Sequence, residues 1–63
     1  MTISTKITNF LRNAMHPMSD AEIARGIEAP TPSVRRTRRE MEDNNIVVAA
    51  TVAPLTFRLA RGM

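Results

Sequence analysis

The 63-residue sequence contains no cysteine, no tryptophan and no tyrosine, and only two phenylalanines and two glycines. Without cysteine, neither a disulfide nor a thiolate-metal site can staple the fold. A chain this short buries only about 60% of the surface its unfolded form exposes. Stability must therefore come from a compact core, a partner subunit or a bound ligand, and a homodimer is one expectation. With so few aromatics there is no platform for stacking single-stranded bases. Phe10 and Phe57 both fall at apolar positions and are read as core.

Gly26 and Gly62 form no phosphate-cradling loop or dinucleotide fingerprint. His16 is the one histidine, and it stands beside Pro17 with no thiol or close pair of carboxylates. It is read as a surface residue of a connector, so no enzyme activity, no metal and no other cofactor is expected. No apolar run approaches the roughly 20 residues that span a bilayer, and the N-terminus has no signal-peptide core. A cytoplasmic protein without a membrane partner is expected. No linker or internal repeat divides the chain, so residues 1–63 are read as a single domain.

What the sequence has in quantity is arginine. Nine cations against six anions give a net charge of +3 and a pI near 11.2, and every cation but Lys6 is Arg. Arginine presents a planar, bidentate donor to phosphates and guanine edges, which a simple solubilising charge does not. Four arginines fall within five positions of PTPSVRRTRREMEDN, residues 30–44.

Apolar spacing organises the rest. Ile3, Ile7, Phe10, Leu11 and Ala14 share one helical face, which predicts a first helix over about residues 3–15, capped by Thr2 or Ser4 and closed by Pro17. Met15 to Met18 suit a tiny strand, with both methionines read as core filler. Ser19 and Glu22 form a capping box that opens a second helix over about 20–26. Ala21, Ile23, Ala24 and Ile27 supply its apolar face, and Gly26 its stop.

Thr31 then suits an N-cap and Pro32 the first helical position of a third helix over about 32–44. At 100° per residue Val34, Thr37 and Met41 fall within an arc of roughly 60° and should face the core. Arg35, Arg36 and Arg39 fall on the opposite side. Arg38 stands at the boundary, its stem over apolar neighbours and its head in water. Surface pairs Arg36–Glu40 and Arg39–Asp43 are expected at helical spacing. Beyond Asn45, IVVAATV and LTFRLAR read as a β-hairpin over about 46–61. Leu55, Phe57 and Leu59 should face the helices, and Thr56, Arg58 and Ala60 should not. The fold class expected is mainly α with a small β-hairpin.

This order resembles a winged helix-turn-helix domain, with three helices and a two-stranded wing. PMSDAEIARGI is similar to the segment that introduces the second helix of that superfamily. PSVRRTRREMEDNNIV is similar to the recognition helix and first wing strand of MarR-type and related bacterial or phage repressors. The matching positions are Ser33, Val34, Arg35, Arg36, Met41, Glu42, Asp43, Asn45 and Ile46, with Asn45 where the family usually has Gly at the helix end. The resemblance differs from the full-size repressors in lacking their long dimerisation helices, and the wing tip, Val52-Ala53-Pro54, lacks the usual basic residues.

The resemblance implies a sequence-specific double-stranded DNA-binding protein, a transcriptional regulator that inserts its third helix into the major groove. Arg35 and Arg36 would then contact the groove, and Arg39 a base or phosphate. Thr31, Pro32 and Ser33 at the helix tip would hold the backbone, with Arg58 on the wing, Lys6 and Arg25 as weaker phosphate contacts. The alternative is a protein-interaction module, such as a phage inhibitor or assembly adaptor, whose Arg face docks an acidic protein surface.

Overall fold

The computed structural model describes residues 2–60 of the chain. Three helices precede a hairpin: α1 (Ile3–Asn13), α2 (Asp20–Ile27), α3 (Thr31–Asp43), β1 (Val47–Val52) and β2 (Leu55–Leu59). This is a mainly α chain with one two-stranded antiparallel sheet. The hairpin's expected end at residue 61 lies outside the described residues.

Each helix starts and stops for a local reason. The Thr2 hydroxyl accepts the Thr5 N–H and opens α1. The helix ends at Asn13, two residues before the expected 15, because Ala14 already has extended backbone, with φ −74° and ψ 140°. That extension carries the connector to the hairpin, where Met18 and Phe57 exchange two backbone hydrogen bonds of 3.0 and 2.7 Å. The expected small strand thus reduces to a single bridge at Met18. Met15 is not core filler; it is 95% exposed.

The capping box of α2 is formed as expected: the Ser19 hydroxyl accepts the Glu22 N–H and the Glu22 carboxylate accepts the Ser19 N–H. Gly26 does not stop this helix. The reversal comes at Glu28, whose φ of 57° is left-handed, with the Ala29 N–H bonded to the Ala24 carbonyl. At α3 the cap is Pro30, not Thr31, so Thr31 takes the first helical position and Pro32 the second. The backbone of Pro30 at ψ 137° is the extended conformation usual for the residue that caps a helix start. The end of α3 is a Schellman motif. Asn45 has φ 61°, the Ile46 N–H reaches the Met41 carbonyl at 2.8 Å and the Asn45 N–H reaches that of Glu42 at 3.0 Å.

One core joins all five elements: Ile7 and Leu11 from α1, Ile23 and Ala24 from α2, Val34 and Met41 from α3, Val47 from β1 and Phe57 from β2. Ile3, Phe10, Ile27, Ile46 and Leu59 pack around it, half-buried. Ala21 is exposed, so the apolar face of α2 is narrower than its spacing implied. Thr37 is half-buried beside its buried neighbours Val34 and Met41.

The strands pair from Val47 with Leu59 to Val52 with Leu55, with a register shift between Ala49 and Thr51. Phe57 is buried and Leu59 half-buried, but Leu55 is 46% exposed and does not join the helices. It lies at the far end of the hairpin, beyond the reach of the core. Among the described residues no helix is long and apolar enough to cross a membrane.

Candidate nucleic-acid interface

Helix α3 divides its residues sharply between core and solvent. Val34, Arg38 and Met41 are buried, four and three positions apart, which is the spacing of one helical face. Arg35, Arg36 and Arg39 are exposed on the other side. With Pro32, Glu40 and Asp43 they line a shallow groove of about 380 Å³. The three arginines and Pro32 are therefore brought together as expected, but the same groove turns acidic toward the helix end.

Thr31 and Ser33 sit half-buried in the first turn. No side chain caps this helix start. The Val34 N–H is bonded to the Pro30 carbonyl at 3.1 Å, and Pro32 has no N–H to satisfy. That leaves the Thr31 and Ser33 N–H groups at the positive end of the helix dipole, an arrangement suited to an anion. Arg58 is exposed on β2, away from the groove lining, and its Nη1 donates to the Leu59 carbonyl at 3.3 Å. Lys6 and Arg25 are exposed on α1 and α2.

Arg38 overturns the expectation made for it. Its head is not in water; the residue is 6% exposed. Nε and Nη2 donate to the two carboxylate oxygens of Asp20 at 2.9 and 2.8 Å, and Nη1 donates to Glu42 at 2.8 Å. The guanidinium carbon lies 4.0 Å above the centre of the Phe57 ring, close enough for a cation–π contact. The Asp20 hydrogen bond, first among its causes, holds the Arg38 guanidinium above its ordinary pKa, with Glu42 adding to it and burial opposing. The spacing from Val34 to Arg38 to Met41 carried the signal for this burial. A partner 18 residues away carried none.

Asp20 serves a second cation. Arg35 Nε stands 3.7 Å from Asp20 Oδ2, with the Arg35 side chain still 54% exposed. One expected groove contact is thus loosely drawn toward the start of α2, while Arg36 and Arg39 make no ion pair among the described residues. The expected pairs Arg36–Glu40 and Arg39–Asp43 do not form; the i,i+4 pair is Arg38–Glu42. Exposed pairs gain little in water against the entropy of fixing two long side chains. The buried Arg38 has already lost that freedom.

Among the described residues no group of three or more His, Cys, Asp or Glu is gathered as a metal site requires. His16 is exposed, with Nδ1 3.0 Å from the Pro17 carbonyl oxygen. Neither a known protein family, nor a curated protein, nor a solved structure matches the chain.

Proposed function

We propose that this chain is a winged helix-turn-helix domain that binds double-stranded DNA, with α3 as recognition helix and the β1–β2 hairpin as wing, acting as a small transcriptional regulator. The observation that carries the reading is the exposure of Arg35, Arg36 and Arg39 together on α3, whose other face is locked into the core by Val34, Arg38 and Met41. A helix held rigidly from behind adds no backbone ordering to the cost of fixing its arginine side chains. The uncapped helix start supports the same reading, because its free N–H groups and the Thr31 and Ser33 hydroxyls suit a phosphate.

Glu40 and Asp43 limit the contact to the part of α3 up to Arg39, since phosphates avoid carboxylates. Helix-turn-helix proteins present the N-terminal part of this helix to base edges. In this reading Arg35 and Arg36 read bases, Arg39 a base or phosphate, and Arg58 a phosphate beside the wing. A homodimer would read two half-sites about 10 base pairs apart, centre to centre.

Fluorescence anisotropy with mixed-sequence duplex DNA across a salt series tests the proposal. Three to five phosphate contacts give a log–log slope of about −3 to −5. Replacing Arg35 or Arg36 with Ala should then cost about 1–3 kcal/mol on a selected site and relax its sequence preference. Absence of duplex binding at low salt would overturn the reading. The second reading is a module whose Arg35, Arg36 and Arg39 dock an acidic protein surface, with Glu40 and Asp43 in the same groove calling for a cation beside those acids. That reading predicts no salt-dependent duplex binding and a stoichiometric complex with one protein.

A further inference from the structure

On α1 and α2, away from the α3 arginines, lies a second groove of about 580 Å³. Phe10, Met18 and Ile27 give it an apolar floor, and none of its lining residues is shared with the α3 groove. Met15 stands at its lip, 95% exposed. A large apolar side chain held wholly in water beside an apolar depression is the anatomy of an unoccupied interface, and methionine is enriched at such surfaces.

The rim has charge of one sign. Lys6 lines the groove, and among the described residues no carboxylate does. Helix α1, whose sequence is ISTKITNFLRN, contains no acidic residue at all. The helix C-termini nearby carry partial negative charge, which opposes an anion. Leu11 is engaged by the Ala14 N–H and Ala24 and Arg25 by the N–H groups that follow α2, and Lys6 sets a full charge against the partial ones that remain.

We propose that this groove docks a short acidic amphipathic segment of a partner protein, its apolar side chains against Phe10 and Ile27 and its carboxylates toward Lys6. The groove is open, and its polar groups sit on the rim, not converging on one point. The Asn13 side chain already donates to the Asn9 carbonyl at 3.0 Å, and His16 Nδ1 lies against Pro17. An apolar centre with a polar rim is protein-interface anatomy; a small-molecule site places a few polar groups convergently inside a cavity. A second copy of this chain fits less well, because pairing this face with itself brings Lys6 no carboxylate from the groove lining.

Two fluorescein-labelled helical peptides with the same leucine stripe, one with glutamate and one with lysine elsewhere, test the proposal by anisotropy against the full chain. The glutamate peptide should bind and the lysine peptide should not. Met15→Ser and Lys6→Glu, both exposed, should leave the thermal melt unchanged and weaken binding about tenfold each. Binding should survive Arg35→Ser with Arg36→Ser, which removes the α3 face as a competitor for acidic peptides. On binding, backbone amide shifts should move at Ala14, Gly26 and Ile27.

Failure of the glutamate peptide to bind, equal affinity for both peptides, or loss of binding only in the α3 variant would each overturn the proposal. So would a concentration-dependent dimer that Met15→Ser dissolves, since that would make the occupant a second copy. None of these results bears on duplex binding by α3, so the two proposals stand or fall separately.

Discussion

Arg38 and Asp20 meet through two parallel hydrogen bonds, Nε to Oδ1 at 2.9 Å and Nη2 to Oδ2 at 2.8 Å, and tie the middle of α3 to the first turn of α2. The pair is nearly dry, with side-chain exposures of 7% and 11%. It fixes how the two helices meet, and therefore where the exposed arginines of α3 stand. The Phe57 ring beneath the guanidinium brings the hairpin into the same contact.

Arg38→Ala should therefore destabilise the fold by about 3 kcal/mol, the low end for breaking a buried ion pair. The low end applies because Arg35, 3.7 Å from Asp20, can take up part of the stranded charge. Arg38→Met with Asp20→Asn removes both charges, and it should cost less than the two single changes added together. Urea unfolding of the four proteins measures this coupling. Strict additivity would mean that the pair holds nothing.

Gly26→Ala sets two effects against each other. Alanine gains about 1 kcal/mol of helix propensity over glycine. Yet a Cβ at Gly26 would overlap the ring of Phe10. Overpacking of this kind costs about 1–3 kcal/mol, so the net change should be destabilising. Phe10→Leu should reverse the sign of the Gly26→Ala effect. Thermal melts of the single and double variants decide the matter.

Glu28 closes α2 at φ 57°, a left-handed conformation that costs a residue with a side chain about 1–2 kcal/mol. Glu28→Gly should raise stability by about 1 kcal/mol, less than the full strain because glycine also loosens the unfolded chain. The same change at Asn45, φ 61°, should gain less, since asparagine tolerates this region better than glutamate. A melting temperature that falls with Glu28→Gly would show that its side chain makes a contact outweighing the strain.

Features written in neighbouring residues were legible in the sequence. The Ser19–Glu22 box, Thr2 as one of two candidate caps, the left-handed Asn45 and the inward Phe57 and Leu59 each need only a few positions. The exposed side of α3 follows from 100° spacing alone. What escaped depends on distant parts of the chain. Arg38 reads from its spacing as a boundary cation, and nothing near it in the sequence points to Asp20 as its partner. Gly26 resembles a helix stop until Phe10 from another helix is laid over it. Glu28 carries no signal of a left-handed turn, because glutamate has no preference for one. The partial draw of Arg35 toward Asp20 was illegible for the same reason, and it bears on how freely that arginine can turn toward a ligand.

Glu22 gives the acid limb of the stability curve a component that can be isolated. The Ser19 backbone N–H, then the Ser19 hydroxyl, holds the carboxyl of this exposed residue below the ordinary 4.5. A carboxyl whose folded pKa is depressed contributes stability that is complete above the unfolded pKa. That contribution fades as the pH falls through the lower folded value. Glu22→Gln keeps an acceptor for the Ser19 N–H, as a capping box allows, but cannot titrate. The stability difference between wild type and Glu22→Gln should thus be largest at neutral pH and shrink on acidification below about pH 4.5. Other carboxylates titrate equally in both proteins and drop out of the difference. Urea midpoints for the two proteins at a series of pH values supply the measurement. A difference that stays constant from neutral pH to about pH 2.5, below the ordinary carboxylate range, would show that the charge of Glu22 plays no part in the cap.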